Sequence, residues 1–267
     1  MSSRCAAPLR IPWGPTRALS LGLSVTLGLA LVSCGTPTER PSAAAGTWSG
    51  RPIGSPPPPN PALKHMIIQR ANREWQQFDR QVVVFKGTEE SIPHVGAWED
   101  DYTHASRVNL YWRAVDKPRL DGMDCQQPWS AAFMTWVMQG AGIPASQFRP
   151  AAAHWVYLST MIDEASYPGR YFVPRRVSDY SPGPGDLVCA YRGRSRLGTR
   201  DGFVSSGMLH GAETHCDLVV NKNGRTLEAV GGNVRNSVSK SVLELDDRGR
   251  LKPVPRRPWF LIMENRL

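Results

Sequence analysis

Thr214-His215-Cys216-Asp217-Leu218-Val219-Val220 alternates the polar His215 and Asp217 with the apolar Cys216 and Leu218. It is followed by Asn223-Gly224 and then by Arg225-Thr226-Leu227-Glu228-Ala229-Val230. A two-residue period on both sides of an Asn-Gly pair predicts a β-hairpin, because that pair accepts the positive φ angles of a tight hairpin turn. Alternation puts His215, Asp217 and Val219 on one face of the first strand, and turns Cys216, Leu218 and Val220 towards a core. Working outward, the same period predicts strands at 186–191, 237–245 and 259–263.

Upstream the period changes. Asn60-Pro61 reads as an N-cap and first-turn pair, and Leu63, Ile67, Ala71, Trp75 and Phe78 then recur at helical spacing. A second helix starts at Pro128, with Trp129, Ala132, Phe133, Trp136, Val137 and Gly140 in one stripe, and Gly142 and Pro144 stop it. A third follows Pro150, turns Trp155, Leu158 and Ile162 inward, and ends at Tyr167-Pro168-Gly169. Helices first and strands afterwards predict an α+β domain with N-terminal helices packed on a mostly antiparallel sheet. There is no internal repeat. Of 267 residues, 41% are hydrophobic and 21% charged, which excludes collagen-like, coiled-coil and fully disordered chains.

The N-terminus reads as an address. Arg4, Arg10 and Arg17 precede an uncharged apolar run at 18–33 that ends Leu31-Val32-Ser33-Cys34-Gly35. A basic start before a short apolar core is a secretory signal pattern, and the final residues resemble a bacterial lipobox. That resemblance implies cleavage before Cys34, acylation of its thiol, and, with Gly35 next, the periplasmic face of an outer membrane. Residues 1–33 are then a lipoprotein signal peptide, 34–60 a lipidated Cys and Pro-rich tether, and 61–267 the folded domain. The tether, with Pro56 to Pro59 in a row, reaches at most about 90 Å when stretched. The net charge of +9 falls by three on cleavage. It suits an anionic cell wall or lipid headgroups, and is too diffuse for nucleic acid. A monomer is expected.

Three pieces carry chemistry: Pro128-Trp129-Ser130-Ala131-Ala132-Phe133 at a helix start, Pro184-Gly185-Asp186-Leu187-Val188, and His215 to Val220 followed by Gly231-Gly232-Asn233. In this order they resemble the papain-like cell-wall hydrolases of the CHAP and NlpC type, and most of all the bacterial domain of unknown function 2272, over roughly residues 61–264. The resemblance implies a papain-like fold and amide-bond hydrolysis in peptidoglycan. Ser130 stands where those enzymes carry Cys, His215 is the base, and Asn233 orients it, with Glu228 as the fallback. A helix N-terminus favours a nucleophile or oxyanion there, through its free N–H groups and dipole. A hydroxyl, unlike a thiol, needs a positioned base during attack. Ser130 therefore has two functional readings: the nucleophile of a Ser-His-Asn hydrolase, or a degenerate site that binds wall peptides or a partner without cutting. A helix-capping role is the third.

Trp129, His154 and Glu228 are candidate substrate-binding residues; His154 shares a helix face with Leu158 and Met161. Cys189 and Cys216 fall on neighbouring strands and are a possible disulfide in an oxidising compartment. Cys125, in the loop before Ser130, is a structural residue or a displaced nucleophile. No cofactor is called for. His210, His215 and Cys216 lack a recurrent zinc spacing, so no metal is expected. The connection 192–213, with Arg192, Arg194, Arg196 and Arg200, reads as a solvated insertion or as a basic lid over an anionic substrate.

Overall fold

The computed structural model describes residues 54–193 and 204–267. Cys34, the apolar run before it and most of the tether lie outside them. Gly54 and Ser55 already bond to the domain: Gly54 N–H donates to the Ala165 carbonyl at 3.2 Å and Gly169 N–H to that of Ser55 at 3.0 Å. The last residues expected in the tether thus run along the folded body.

The elements are α1 (Pro61–Gln77), β1 (Val82–Lys86), β2 (Glu89–His94), α2 (Tyr102–Arg113), α3 (Ser130–Gly140), α4 (His154–Asp163), β3 (Phe172–Arg175), β4 (Leu187–Tyr191), α5 (Ser206–Leu209), β5 (Thr214–Asn223), β6 (Thr226–Gly231), β7 (Ser239–Glu244) and β8 (Trp259–Asn265). Eight strands form one sheet in the order β2-β1-β7-β6-β5-β4-β8-β3. Every pairing is antiparallel except that of β1 with β7. The fold is α+β with a mostly antiparallel sheet, as the change of period implies. The Asn223-Gly224 turn joins β5 to β6, with Asn223 opposite Thr226.

The order of helices before strands is not strict. β1 and β2 follow α1 directly, and β1 enters the sheet parallel to β7, a pairing between residues about 160 positions apart that no local pattern announces. β2 and β3 are the sheet edges, and each contains a proline, Pro93 and Pro174, which a strand tolerates at an edge. α2 is a further helix, burying Ala105, Val108, Tyr111 and Trp112.

α1 begins where the N-cap pair places it: Asn60 Oδ1 accepts from Leu63 N–H at 3.0 Å. The sheet is covered on both faces. On one, the helices and β4, β5 and β8 enclose a core containing Phe133, Met134, Leu158, Cys189, Cys216 and Leu218. On the other, Val188, Val219, Leu227, Ala229 and Leu243 pack under the chain around Leu251 and Val254. The face of β5 carrying His215, Asp217 and Val219 is therefore interior too, and Asp217 and Val219 have no exposed surface.

Cys189 and Cys216 are opposite each other in the β4–β5 ladder. They are joined as a disulfide with Cα atoms 4.1 Å apart. Pro184-Gly185-Asp186 is a structural clamp. Gly185, at φ +96°, donates its N–H to Val219 O at 2.8 Å. The Asp186 carboxylate accepts from the backbone N–H groups of Gly183 and Asn265, each at 2.8 Å. Burial pushes Asp186 up to about 6 against those bonds.

Candidate active site

The site forms where the N-termini of α3 and α4 meet the start of β5. Ser130 is the first residue of α3. Trp129 holds the helix start in place: its ring packs against Phe78, Tyr111 and Phe133, and its indole N–H donates to the Glu99 carboxylate. Trp129 is 1% exposed, so it anchors Ser130 from inside the core and does not meet a ligand at the surface, as a substrate-binding residue would. Burial pushes Glu99 up to about 7, although the Trp129 hydrogen bond favours its charge.

Ser130 Oγ lies 2.7 Å from His154 Nε2, and His154 Nδ1 is bonded to the Tyr157 hydroxyl. His154 is the first residue of α4 and Tyr157 lies three residues on, so one helix turn stacks the two side chains. Burial first, then the neighbouring His215 imidazole, lowers the His154 pKa well below the usual imidazole range. The ring is therefore neutral, with one donor and one acceptor nitrogen. Ser130 donating to Nε2 leaves Nδ1–H to donate to Tyr157. A hydroxyl hydrogen-bonded to a neutral imidazole, with a third group fixing the imidazole, is the geometry of an activated nucleophile.

His215 belongs to a second chain of bonds. Its Nε2 is 2.6 Å from Asp217 Oδ1. Asp217 Oδ2 accepts from Arg257 Nη1 at 2.5 Å and from Ser241 Oγ at 3.2 Å. Burial opposes the Asp217 charge, yet Arg257 and His215 hold the carboxyl well below its usual range. Asp217 is thus ionised and accepts only, so His215 carries its proton on Nε2 and presents Nδ1 as the acceptor. Burial outweighs Asp217 and lowers the His215 pKa. The His154 and His215 ring centroids are 5.3 Å apart.

Gly231, at the end of β6, makes the His215–Asp217 pair possible. A Cβ there would sit 1.8 Å from Asp217 Oδ1 and 3.1 Å from His215 Nε2. The place across the ladder from Asp217 must stay empty of side chain.

The structure thus pairs Ser130 with His154, and His215 with Asp217. Among the described residues no hydrogen bond joins Ser130 to His215, or Asn233 to either imidazole. Asn233 is displaced by a left-handed turn at φ +55°. It lines, with His215, a cavity of about 260 Å³. The group that orients His215 is Asp217, two residues along the same strand. Glu228 is paired with Lys240 Nζ at 3.0 Å and, by strand alternation, points to the face opposite Gly231, so it is no substitute for Asp217 and is spent away from the site. Cys125 lies in the loop before α3 and is disulfide-bonded, so it is a structural residue and not a displaced nucleophile. His210 packs against Trp155 with ring centroids 4.9 Å apart, and Cys216 is in a disulfide, so these do not converge with His215 as ligands. Among the described residues no group of His, Cys, Asp and Glu side chains is arranged for a metal.

Two of these partners were visible in the sequence. Alternation puts Asp217 beside His215, and an i, i+3 spacing puts Tyr157 beside His154. Arg257 and Ser241 had no such signal, since they arrive from a distant loop and strand.

The model of a family described as an uncharacterized protein conserved in bacteria, DUF2272, matches residues 95–265. The chain belongs to the DUF2272 family. The matched stretch runs from just before α2 through β8 and contains Ser130, His154, His215, Asp217, Gly231 and Arg257; α1, β1 and β2 precede it. No curated protein and no solved structure matches the chain.

Proposed function

We propose that this DUF2272 protein is an envelope lipoprotein, anchored through Cys34 to the periplasmic face of the outer membrane. Its domain is papain-like and hydrolyses an amide bond in the peptides of peptidoglycan. The observation that supports this most is the 2.7 Å hydrogen bond between Ser130 Oγ and His154 Nε2 at the N-terminus of α3. Ser130 is the nucleophile. His154 takes its proton during attack on the amide carbonyl, and the unpaired N–H groups of the α3 N-terminus face the developing oxyanion. The imidazolium then returns that proton to the leaving amine, and water repeats the sequence to free Ser130. Asp217 holds the His215 imidazole as a second, neutral ring beside the first. The base is thus His154 in place of His215, with Tyr157 as its partner in place of Asn233.

The test is release of new amines from purified peptidoglycan by the full-length protein in detergent. Ser130→Ala and His154→Gln should each remove the activity, because members of such a unit act together. Activity that survives Ser130→Ala sinks the assignment.

A second reading, a non-catalytic module that binds the wall or a partner, is favoured by one observation. Ser130 and His154 are each only 3% exposed, and the neighbouring cavity is lined by His215 and not by Ser130. On that reading the wild type releases no amines, yet sediments with peptidoglycan.

A further inference from the structure

The cavity beside His215 has a one-sided charge. It is enclosed by the start of β5, the turn after β6 and the chain before β8, and has a volume of about 260 Å³. Among the described residues four arginines line it, Arg192, Arg235, Arg256 and Arg257, with one carboxylate, Glu90, in the lining itself. Two of the four are committed. Arg257 is bonded to Asp217 and Ser241, and Arg235 Nε donates to Glu90 Oε1 at 2.6 Å. Arg256 reaches the same Glu90 only at 3.7 Å, a distance at which the pair contributes little. Arg192 makes no ion pair among the described residues. Desolvation of its guanidinium, and then the like charge of Arg257, lower its pKa against the attraction of Glu213 and Asp217. Among the described residues three acids, Glu90, Asp217 and Glu213, act on these four arginines, which leaves one cation in excess at the rim and a place for one anion. Planar guanidinium forks suit carboxylates in particular.

We infer that this cavity binds a free carboxylate of the substrate peptide, held by Arg192 and Arg256 and set beside the His215 ring. The inference rests on the amide-hydrolase reading for the identity of the ligand as a peptide. It makes the cavity the specificity pocket of the site: the protein selects peptides that carry a free carboxyl near the bond addressed. The volume admits one or two residues of such a peptide and no folded partner.

The experiment reads binding apart from turnover. Full-length Ser130→Ala protein is titrated calorimetrically with an N-acetylated dipeptide bearing a free C-terminal carboxylate, and with the same dipeptide as its C-terminal amide. The acid should bind at least tenfold more tightly than the amide. Adding Arg192→Gln or Arg256→Gln, each checked for native near-ultraviolet circular dichroism, should reduce that preference severalfold. Equal binding of acid and amide overturns the proposal, as does failure of both to bind. Inorganic phosphate binding with the same arginine dependence, while the peptides do not bind, also overturns it. If the wild type proves inactive but the acid still binds with Arg192 dependence, the hydrolase reading falls and the pocket stands. If the wild type cleaves acid and amide substrates equally, the pocket falls and the hydrolase stands.

Discussion

Replacing Asp217 with Asn keeps the shape of the side chain and removes its charge. In the native protein that charge meets Arg257 Nη1 at 2.5 Å and His215 Nε2 at 2.6 Å. The carboxylate has no exposed surface and the Arg257 side chain is 13% exposed. Asn leaves the guanidinium buried without a counter-charge. Breaking a buried pair from one side typically costs about 3–5 kcal/mol. Part of the His215 interaction survives, since an amide oxygen still accepts, so the lower end, about 3 kcal/mol, is expected. Urea unfolding at pH 7 with the disulfide intact, followed by Trp fluorescence, measures this directly. The double variant Asp217→Asn/Arg257→Met removes both charges and should recover a large part of the loss, because the cost lies in the orphaned cation. The acid limb is a second check. Asp217 titrates below its unfolded range, so its stabilisation is present above that range and is lost as pH falls from there through its own lowered pKa. The Asn variant should lack this contribution and converge with the wild type in acid. A loss below about 1 kcal/mol at pH 7, or losses for the two single variants that simply add in the double variant, refutes the reasoning.

Other outcomes follow from the same structure. Gly231→Ala puts a methyl against Asp217 Oδ1 in a site with no room; by the usual cost of overpacking it should lose at least about 1–3 kcal/mol in urea unfolding and shift the His215 ring signals in NMR. Glu99, raised by burial to about 7 from 4.5, keeps its proton in the folded state when the unfolded chain has released it. Its contribution therefore falls as pH rises from about 4.5 to 7, by about 3 kcal/mol. Glu99→Gln should flatten that part of the stability profile relative to wild type, with the slope from Asp186 remaining; an unchanged slope counts against the assignment. Removing the Cys189–Cys216 bond as a double alanine variant, with a sequence separation of 27, should cost about 3–4 kcal/mol by chain entropy, read as a lower urea midpoint. Cys34→Ser should release the protein from membranes or leave an unprocessed precursor; unchanged membrane association with no lipid mass on the Cys34 peptide would argue against the anchor.

The β5–β6 hairpin, α1, α3, α4 and the face shared by His215 and Asp217 were legible in the chain. Each depends on neighbours a few residues apart: a two-residue period around Asn223-Gly224, an Asn-Pro start, apolar stripes at helical spacing. The same local rules placed Ser130 at a helix start and left Cys189 and Cys216 on adjacent strands. The parallel entry of β1 beside β7, the edge strands with Pro93 and Pro174, and the second buried face of the sheet were not legible, because their partners lie far away in the chain. The pairing within the site was decided the same way. The resemblance to papain-like hydrolases implied Ser130, His215 and Asn233 as one unit. Only the docking of α4 on β3, β5 and α5, which sets its N-terminus beside that of α3, brought His154 to the serine, and only the arrival of Arg257 and Ser241 made the buried Asp217 a stable anion. The empty place at Gly231 let that anion face His215. Local periodicity sets which side chains share a face; which faces meet, and so which imidazole serves which hydroxyl, depends on long-range burial that no short stretch of chain encodes by itself.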